Sequence, residues 1–139
     1  MEQRNLRLLE KYEKVKNNEV RYEATQCDDA DYVIVAFGSA ARISEKAMET
    51  AREQGLKVGL FRPITLWPFP EKEIEALGNG KKGVLTVEIN AGQMIEDVRL
   101  ATHGTVPVEH FGRLGGIVPD PEEIVASLKQ NIESGRFNG

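Results

Sequence analysis

The chain has 139 residues, enough for one hydrophobic core and too few for a multidomain enzyme. Its 18 Lys and Arg stand against 22 Asp and Glu, a formal net charge of −4, which argues against an electrostatically driven nucleic-acid or anionic-membrane binder. At 40% hydrophobic and 29% charged residues it has a globular composition; no apolar run nears the ~20 residues that span a bilayer, no signal peptide precedes the polar N-terminus, and a cytoplasmic protein is expected.

All 13 glycines and all six prolines lie at or after Gly38, so the first 37 residues differ in character from the rest. Residues 1–31 are read as a lead-in helix and edge strand, joined to residues 32–139 as the core of the same single domain. In the lead-in, Leu8, Leu9, Tyr12 and Val15 recur at helical spacing. Glu19 to Thr25 alternates loosely around Val20 and Tyr22 and predicts a short edge strand. Next comes Tyr32 to Phe37, a continuous apolar, β-branched run stopped by Gly38, as expected of a strand buried on both faces at the centre of a sheet. Ser39 is placed to cap a helix in which Ile43, Ala47 and Ala51 repeat every four residues, with Gly55 as the stop. Lys57 to Phe61 completes a strand, helix, strand unit, which by handedness rules makes its two strands parallel.

The alternation continues. A short helix opens at Pro70 with Ile74 and Leu77 inward and Gly78 after it, and Gly83 to Ile89 forms another buried strand. Gly92 to Thr102 is helical, and Val106 to Phe111 is a last strand whose Pro107 suits a sheet edge. Asp120 as cap, Pro121 at the first helical position and Glu123 reaching back announce the final helix, which Gly135 ends. The whole predicts a three-layer α/β/α sandwich around a mostly parallel sheet of about five strands. Ligands of such sheets meet the carboxyl ends of the strands, which directs attention to Gly38 and Ser39, Arg62, Glu88 to Asn90, and Gly112 to Arg113.

Residue chemistry at those positions is sparse. Gly38-Ser39-Ala40-Ala41-Arg42 could hold a phosphate on a helix start, but no dinucleotide or P-loop pattern accompanies it, and a tight strand-to-helix turn accounts for it. In the run 62–70 (RPITLWPFP) three prolines stiffen a loop whose Leu66, Trp67 and Phe69 suit either a plug over its own core or a docking patch for another domain. Arg62 there fits an anion contact, a structural ion pair or a partner contact. Glu88 fits either a proton carrier or a carboxylate that accepts hydrogen bonds from neighbouring loops. Asn90 and Gly92 suit a special backbone conformation, Gln93 can bond loop backbone, and Arg113 sits in a glycine-rich turn. Cys27 is the only cysteine, which excludes an internal disulfide and a cysteine-built iron–sulfur or zinc site. With only His103 and His110 besides, no metal site is expected. No nucleophile stands with its base, so no catalytic residue is assigned.

The loops themselves carry a resemblance. AFGSAAR, GLFRPITLWPFP, VEINAGQMIEDVR and FGRLGG followed by PDPEEI, in that order, resemble the C-terminal domain of the α subunit of 2-oxoacid:ferredoxin oxidoreductases. The preceding LLEKYEKVKNNEVRYE is similar to the 2-ketoisovalerate (3-methyl-2-oxobutanoate) type. The resemblance implies a transketolase C-terminal-like fold with its first strand antiparallel at an edge. It also implies a thiamine-diphosphate-dependent complex that decarboxylates a 2-oxoacid oxidatively, forms acyl-coenzyme A and reduces ferredoxin. On that pattern thiamine diphosphate, Mg²⁺ and the iron–sulfur clusters sit on partners: the N-terminal thiamine-binding domain of the α subunit, the β subunit and an iron–sulfur subunit. This chain alone is then expected to bind no cofactor. Gly38, Ser39, Arg42, Arg62, Pro63, Glu88, Asn90, Gly92, Gln93, Arg113 and Gly116 carry over as loop-edge features, with Arg62, Leu66, Trp67 and Phe69 as the expected partner surface. Two other readings stand beside it: the matching domain of another thiamine enzyme, such as a 2-oxoacid dehydrogenase β subunit, and an independent α/β anion- or nucleotide-binding domain. EINAGQ favours the ferredoxin-linked family over the dehydrogenase.

Overall fold

The run expected at the centre of the sheet is there. In the computed structural model, which describes residues 21–64, 69–89, 93–112 and 119–137, Tyr32–Ala36 (β2) is buried at all five positions. Its β-branched residues suit a strand covered on both faces, where no polar side would be tolerated. Around it run Tyr22–Thr25 (β1), Val58–Pro63 (β3), Gly83–Glu88 (β4) and Val108–Gly112 (β5), in the spatial order β1-β3-β2-β4-β5. β2 pairs parallel with β3 and β4, and β4 parallel with β5, whereas β1 runs antiparallel along β3 at the edge. The three-layer, mostly parallel architecture and its antiparallel edge strand are both as expected. The lead-in helix around Leu8 to Val15 lies outside the described residues.

Two pairs of helices cover the sheet. On one face, Ser39–Glu53 (α1) and Pro121–Glu133 (α4) close over Tyr32, Ile34, Ala36, Leu60, Leu85 and Val87. On the other, Glu71–Gly78 (α2) and Gln93–Thr102 (α3) cover Val33, Val35, Phe61, Val84 and Val108. Alternate residues of each strand thus feed two cores, as the period of two requires. Because β3 and β4 lie on opposite sides of β2, strand order reverses at β2. The crevice between the carboxyl ends of β2 and β4 is therefore the switch point of the sheet.

Several boundaries differ in instructive ways. Gly38, not Ser39, is the N-cap of α1: its φ of 62° is open to glycine and strained for other residues, and Ser39 is already helical. Asp120 does cap α4, with Pro121 in the first turn, but its side chain makes no capping hydrogen bond; its carbonyl accepts from the Glu123 N–H at 3.1 Å instead. Gly78 is the last residue of α2 rather than the one after it, and a Cβ there would lie 3.0 Å from Val106. Pro107 precedes β5, where its carbonyl accepts from the Val84 N–H at 2.9 Å and its missing N–H is not called upon.

The connection from β1 to β2 is stapled from beneath. Arg52 of α1 donates through Nε to the Val58 carbonyl at 2.7 Å, through Nη2 to the Gln26 carbonyl at 2.8 Å, and through both Nη atoms to Asp29 at 3.2 and 2.8 Å. From the other side Lys81 Nζ donates to the carbonyls of Cys27 at 2.6 Å and Ala30 at 2.8 Å. Gly59 lets this loop press on the sheet, since a Cβ there would stand 2.8 Å from the Cys27 Cα. Arg52→Ala is expected to cost about 2 kcal/mol, because it leaves the fully buried Val58 carbonyl without its donor.

The hydrogen bond from Arg52 also holds the Asp29 carboxyl below its usual range. A carboxylate with a depressed folded-state pKa contributes stability above its unfolded value, and that contribution is lost as pH falls through the folded value. Urea midpoints of wild type and Asp29→Asn should therefore differ at about pH 7 and converge as pH is lowered toward about 2. A gap independent of pH would show that the aspartate acts otherwise.

Candidate functional site

The carboxyl edge brings together only part of the expected set. Gly38 and Ser39 turn from β2 into α1, and both are exposed, as is Arg42 one turn on. Ser39 forms no cap, and among the described residues no hydrogen bond joins it to either histidine, so it has no base. Arg62 lies inside β3 rather than beyond it, 3.7 Å from Glu23 on β1, and both side chains are substantially exposed. That pair is worth little to stability and leaves the guanidinium open to other partners. Pro63 ends β3 opposite Tyr22. Phe69 is half-buried against the core under α2 and α3, so its ring contributes to its own domain as well as to the surface beside it. Leu66, Trp67, Asn90, Gly92, Arg113 and Gly116 lie outside the described residues, and for Gln93 only its place at the start of α3 is described.

Glu88 is the best-defined polar group of the edge. The last residue of β4, it is 1% exposed and points toward α3, where its Oε1 accepts the Met94 N–H at 2.6 Å. A carboxylate on a first-turn amide satisfies an orphan donor and meets the positive end of the helix dipole. Of the two roles foreseen for Glu88, the structural one is directly visible. Its second oxygen, Oε2, is buried without a hydrogen bond, and His110 Nδ1 of β5 stands 3.3 Å away. Thr86 completes the group: its Oγ1 is 3.1 Å from the same Nδ1 and 3.3 Å from the Glu109 carbonyl. Sequence reading placed His110 only among absent metal ligands and passed over Thr86. The available signal was the parallel register, which sets Thr86 opposite His110 and Glu88 opposite Gly112.

Cys27 is no nucleophile. It is buried, donates toward the Leu60 carbonyl at 3.3 Å, and burial raises its pKa, which keeps it a thiol. Among the described residues no three His, Cys, Asp or Glu could hold a metal ion, and no helix is long and apolar enough to cross a membrane. A shallow hollow of about 430 Å³ lies between β1, β3 and α2, lined by Tyr22, Cys27, Phe61, Lys72 and Leu77 and by none of the loop-edge candidates.

Residues 30–124 match the model of pyruvate:ferredoxin oxidoreductase core domain II. The chain belongs to the 2-oxoacid:ferredoxin oxidoreductase family. It is 42% identical over 130 residues to the ketoisovalerate oxidoreductase subunit VorB of Methanothermobacter thermautotrophicus, covering 94% of this chain and 37% of that protein. With the 2-oxoglutarate synthase subunit KorA of Methanothermobacter marburgensis it shares 35% over 101 residues, 73% of this chain and 27% of that one. Among solved structures it resembles a 2-oxoglutarate:ferredoxin oxidoreductase from Magnetococcus marinus with 2-oxoglutarate, coenzyme A and succinyl-CoA bound. The TM-score is 0.76 at 30% identity, over 86% of this chain and 21% of that one. A split-gene transketolase, at 14% identity and TM-score 0.64 over 81% of this chain and 41% of its own, shares the fold alone. The family-level expectation therefore holds, and the reading as an independent α/β anion- or nucleotide-binding domain gives way to it.

Proposed function

We propose that this chain is the domain II module of a thiamine-diphosphate-dependent 2-oxoacid:ferredoxin oxidoreductase that acts on a branched-chain 2-oxoacid, its own part being assembly rather than catalysis. The observation that carries this is the 42% identity to a ketoisovalerate oxidoreductase subunit across 94% of this chain, while the chain spans only 37% of that relative's length. Most of such a subunit lies outside the sequence aligned here. On this reading the cofactors are carried by the N-terminal α domain, the β subunit and an iron–sulfur subunit. Thiamine diphosphate, bound there, would supply the electron sink for decarboxylation of the 2-oxoacid. This chain contributes a rigid sheet edge, on which exposed Arg62 and the loop with Leu66, Trp67 and Phe69 form the surface proposed for those partners.

Co-expression of this chain with the N-terminal α domain, the β subunit and the iron–sulfur subunit tests the proposal. A complex that consumes 3-methyl-2-oxobutanoate and coenzyme A and reduces ferredoxin is the expected result, with Arg62→Ala plus Trp67→Ala weakening co-purification several-fold. Calorimetry on the chain alone should show no tight binding of thiamine diphosphate or coenzyme A. Stoichiometric micromolar binding of a nucleotide would instead make it a ligand-binding domain in its own right.

A further inference from the structure

Of the group around His110, only Glu88 enters the family reading, as a loop-edge feature; His110 and Thr86 have no part in it. Three oxygens converge on the Nδ1 side of His110: Glu88 Oε2 at 3.3 Å, Thr86 Oγ1 at 3.1 Å, and beyond it the Glu109 carbonyl, 3.3 Å from the threonine. Imidazole nitrogens are either donors or acceptors, and which is which follows from the partner of the better-held one. Were Nδ1 a bare lone pair, it would face a carboxylate oxygen that is buried and otherwise unpartnered, an arrangement that is repulsive and leaves a desolvated charge unsatisfied. A hydrogen on Nδ1 turns that repulsion into an electrostatic attraction across 3.3 Å, and the threonine hydroxyl, 3.1 Å from Nδ1, is then free to donate onward to the Glu109 carbonyl.

Glu88 cannot swing away from this task, because its other oxygen is held by the Met94 N–H at 2.6 Å at the positive end of α3. The imidazole is oriented from behind and left open in front: the His110 side chain is 27% exposed, and among the described residues its Nε2 has no partner. We propose that Glu88 and His110 form a dyad in which Glu88 fixes the Nδ1–H tautomer and His110 presents Nε2 as a hydrogen-bond acceptor on the edge strand β5. The ligand class is one with a protic O–H, N–H or S–H group, the complement of an acceptor nitrogen. Glu88 is the positioning residue and His110 the contacting one. The inference does not depend on the oxidoreductase reading, since each readout below is made on the 139-residue chain itself.

Long-range ¹⁵N–¹³C correlation spectra of the two imidazoles, recorded at about pH 8 where a free imidazole is neutral, read the tautomer directly. His110 should be Nδ1–H, whereas exposed His103 serves as a reference with no such dyad. Glu88→Gln keeps an oxygen for Met94 but turns an amide donor toward Nδ1, so it should switch His110 to Nε2–H. Thr86→Val, which leaves the carboxylate in place, should not. Carbethoxylation gives an independent measure: the yield at His110 relative to His103, read by peptide mass, should fall several-fold in Glu88→Gln and stay near the wild-type value in Thr86→Val. Wild-type His110 in the Nε2–H form, or a tautomer and reactivity unmoved by Glu88→Gln, overturns the dyad. If Glu88→Gln fails to fold, the wild-type and Thr86→Val tautomers still decide it.

Discussion

Truncating Phe137 to alanine is expected to lower the unfolding free energy by about 3–5 kcal/mol, the range for a large aromatic lost from a packed core. The residue lies beyond α4, three positions after the Ser134 cap, outside any helix or strand. Here its ring is 1% exposed, stacks on Tyr32 at 5.8 Å between centroids, and is anchored by its N–H to the Asn131 carbonyl at 3.0 Å. It rests on Gly83: a Cβ built there would fall 2.3 Å from the ring. Gly83→Ala should therefore cost about 1–3 kcal/mol through overpacking at the start of β4. The two sites share one volume, so the double variant should be markedly less unstable than the sum, the added methyl occupying part of the space the ring vacates. Urea unfolding of the four proteins measures this directly. Additive losses would mean that the ring is not the partner of Gly83 in solution.

The second large effect belongs to Glu88→Ala, expected to cost about 2–4 kcal/mol. It removes the acceptor of the Met94 N–H, opens a void where a fully buried side chain stood, and releases His110. The loss should be local before it is global. Amide exchange in the first turn of α3 should quicken more than in α1 or α4, which sit on the opposite face. Glu88→Gln should retain most of the stability, because it keeps an oxygen for Met94. Equal losses for alanine and glutamine would show that the charge, and not the cap, carries the stabilisation.

Both effects mark where a linear reading stops. Largely apolar runs such as Tyr32 to Phe37 and Gly83 to Ile89 announced buried parallel strands, because a strand covered on both faces has no alternating polar side to display. The Asp120-Pro121 pair announced a helix start, because a fixed φ and a missing N–H are properties of a single residue, whereas the cap expected at Ser39 fell on Gly38. The side-chain capping bonds expected from Ser39 and Asp120 did not follow, since carbonyl geometry already closes those turns. Arg62 was expected past the end of its strand and proved to be within it, because antiparallel pairing with β1 carries β3 on to Pro63. Nothing local to Phe137 indicates that it is core: it follows the terminal helix, and only the return of the chain over Gly83 buries it.

The candidate site divides the same way. That Glu88 ends a buried strand, that Cys27 is the only cysteine and that the loop motifs belong to 2-oxoacid:ferredoxin oxidoreductases were all legible in the sequence, because each is a property of composition or of a contiguous stretch. That Glu88 meets Met94 six residues on, and His110 twenty-two residues on, depends on the β4–β5 register and on how α3 settles over it. Local sequence determines which segments bury themselves, since burial follows from side-chain chemistry at a fixed period. Which polar groups face one another is decided by register between strands distant in the chain, and only tertiary packing sets that.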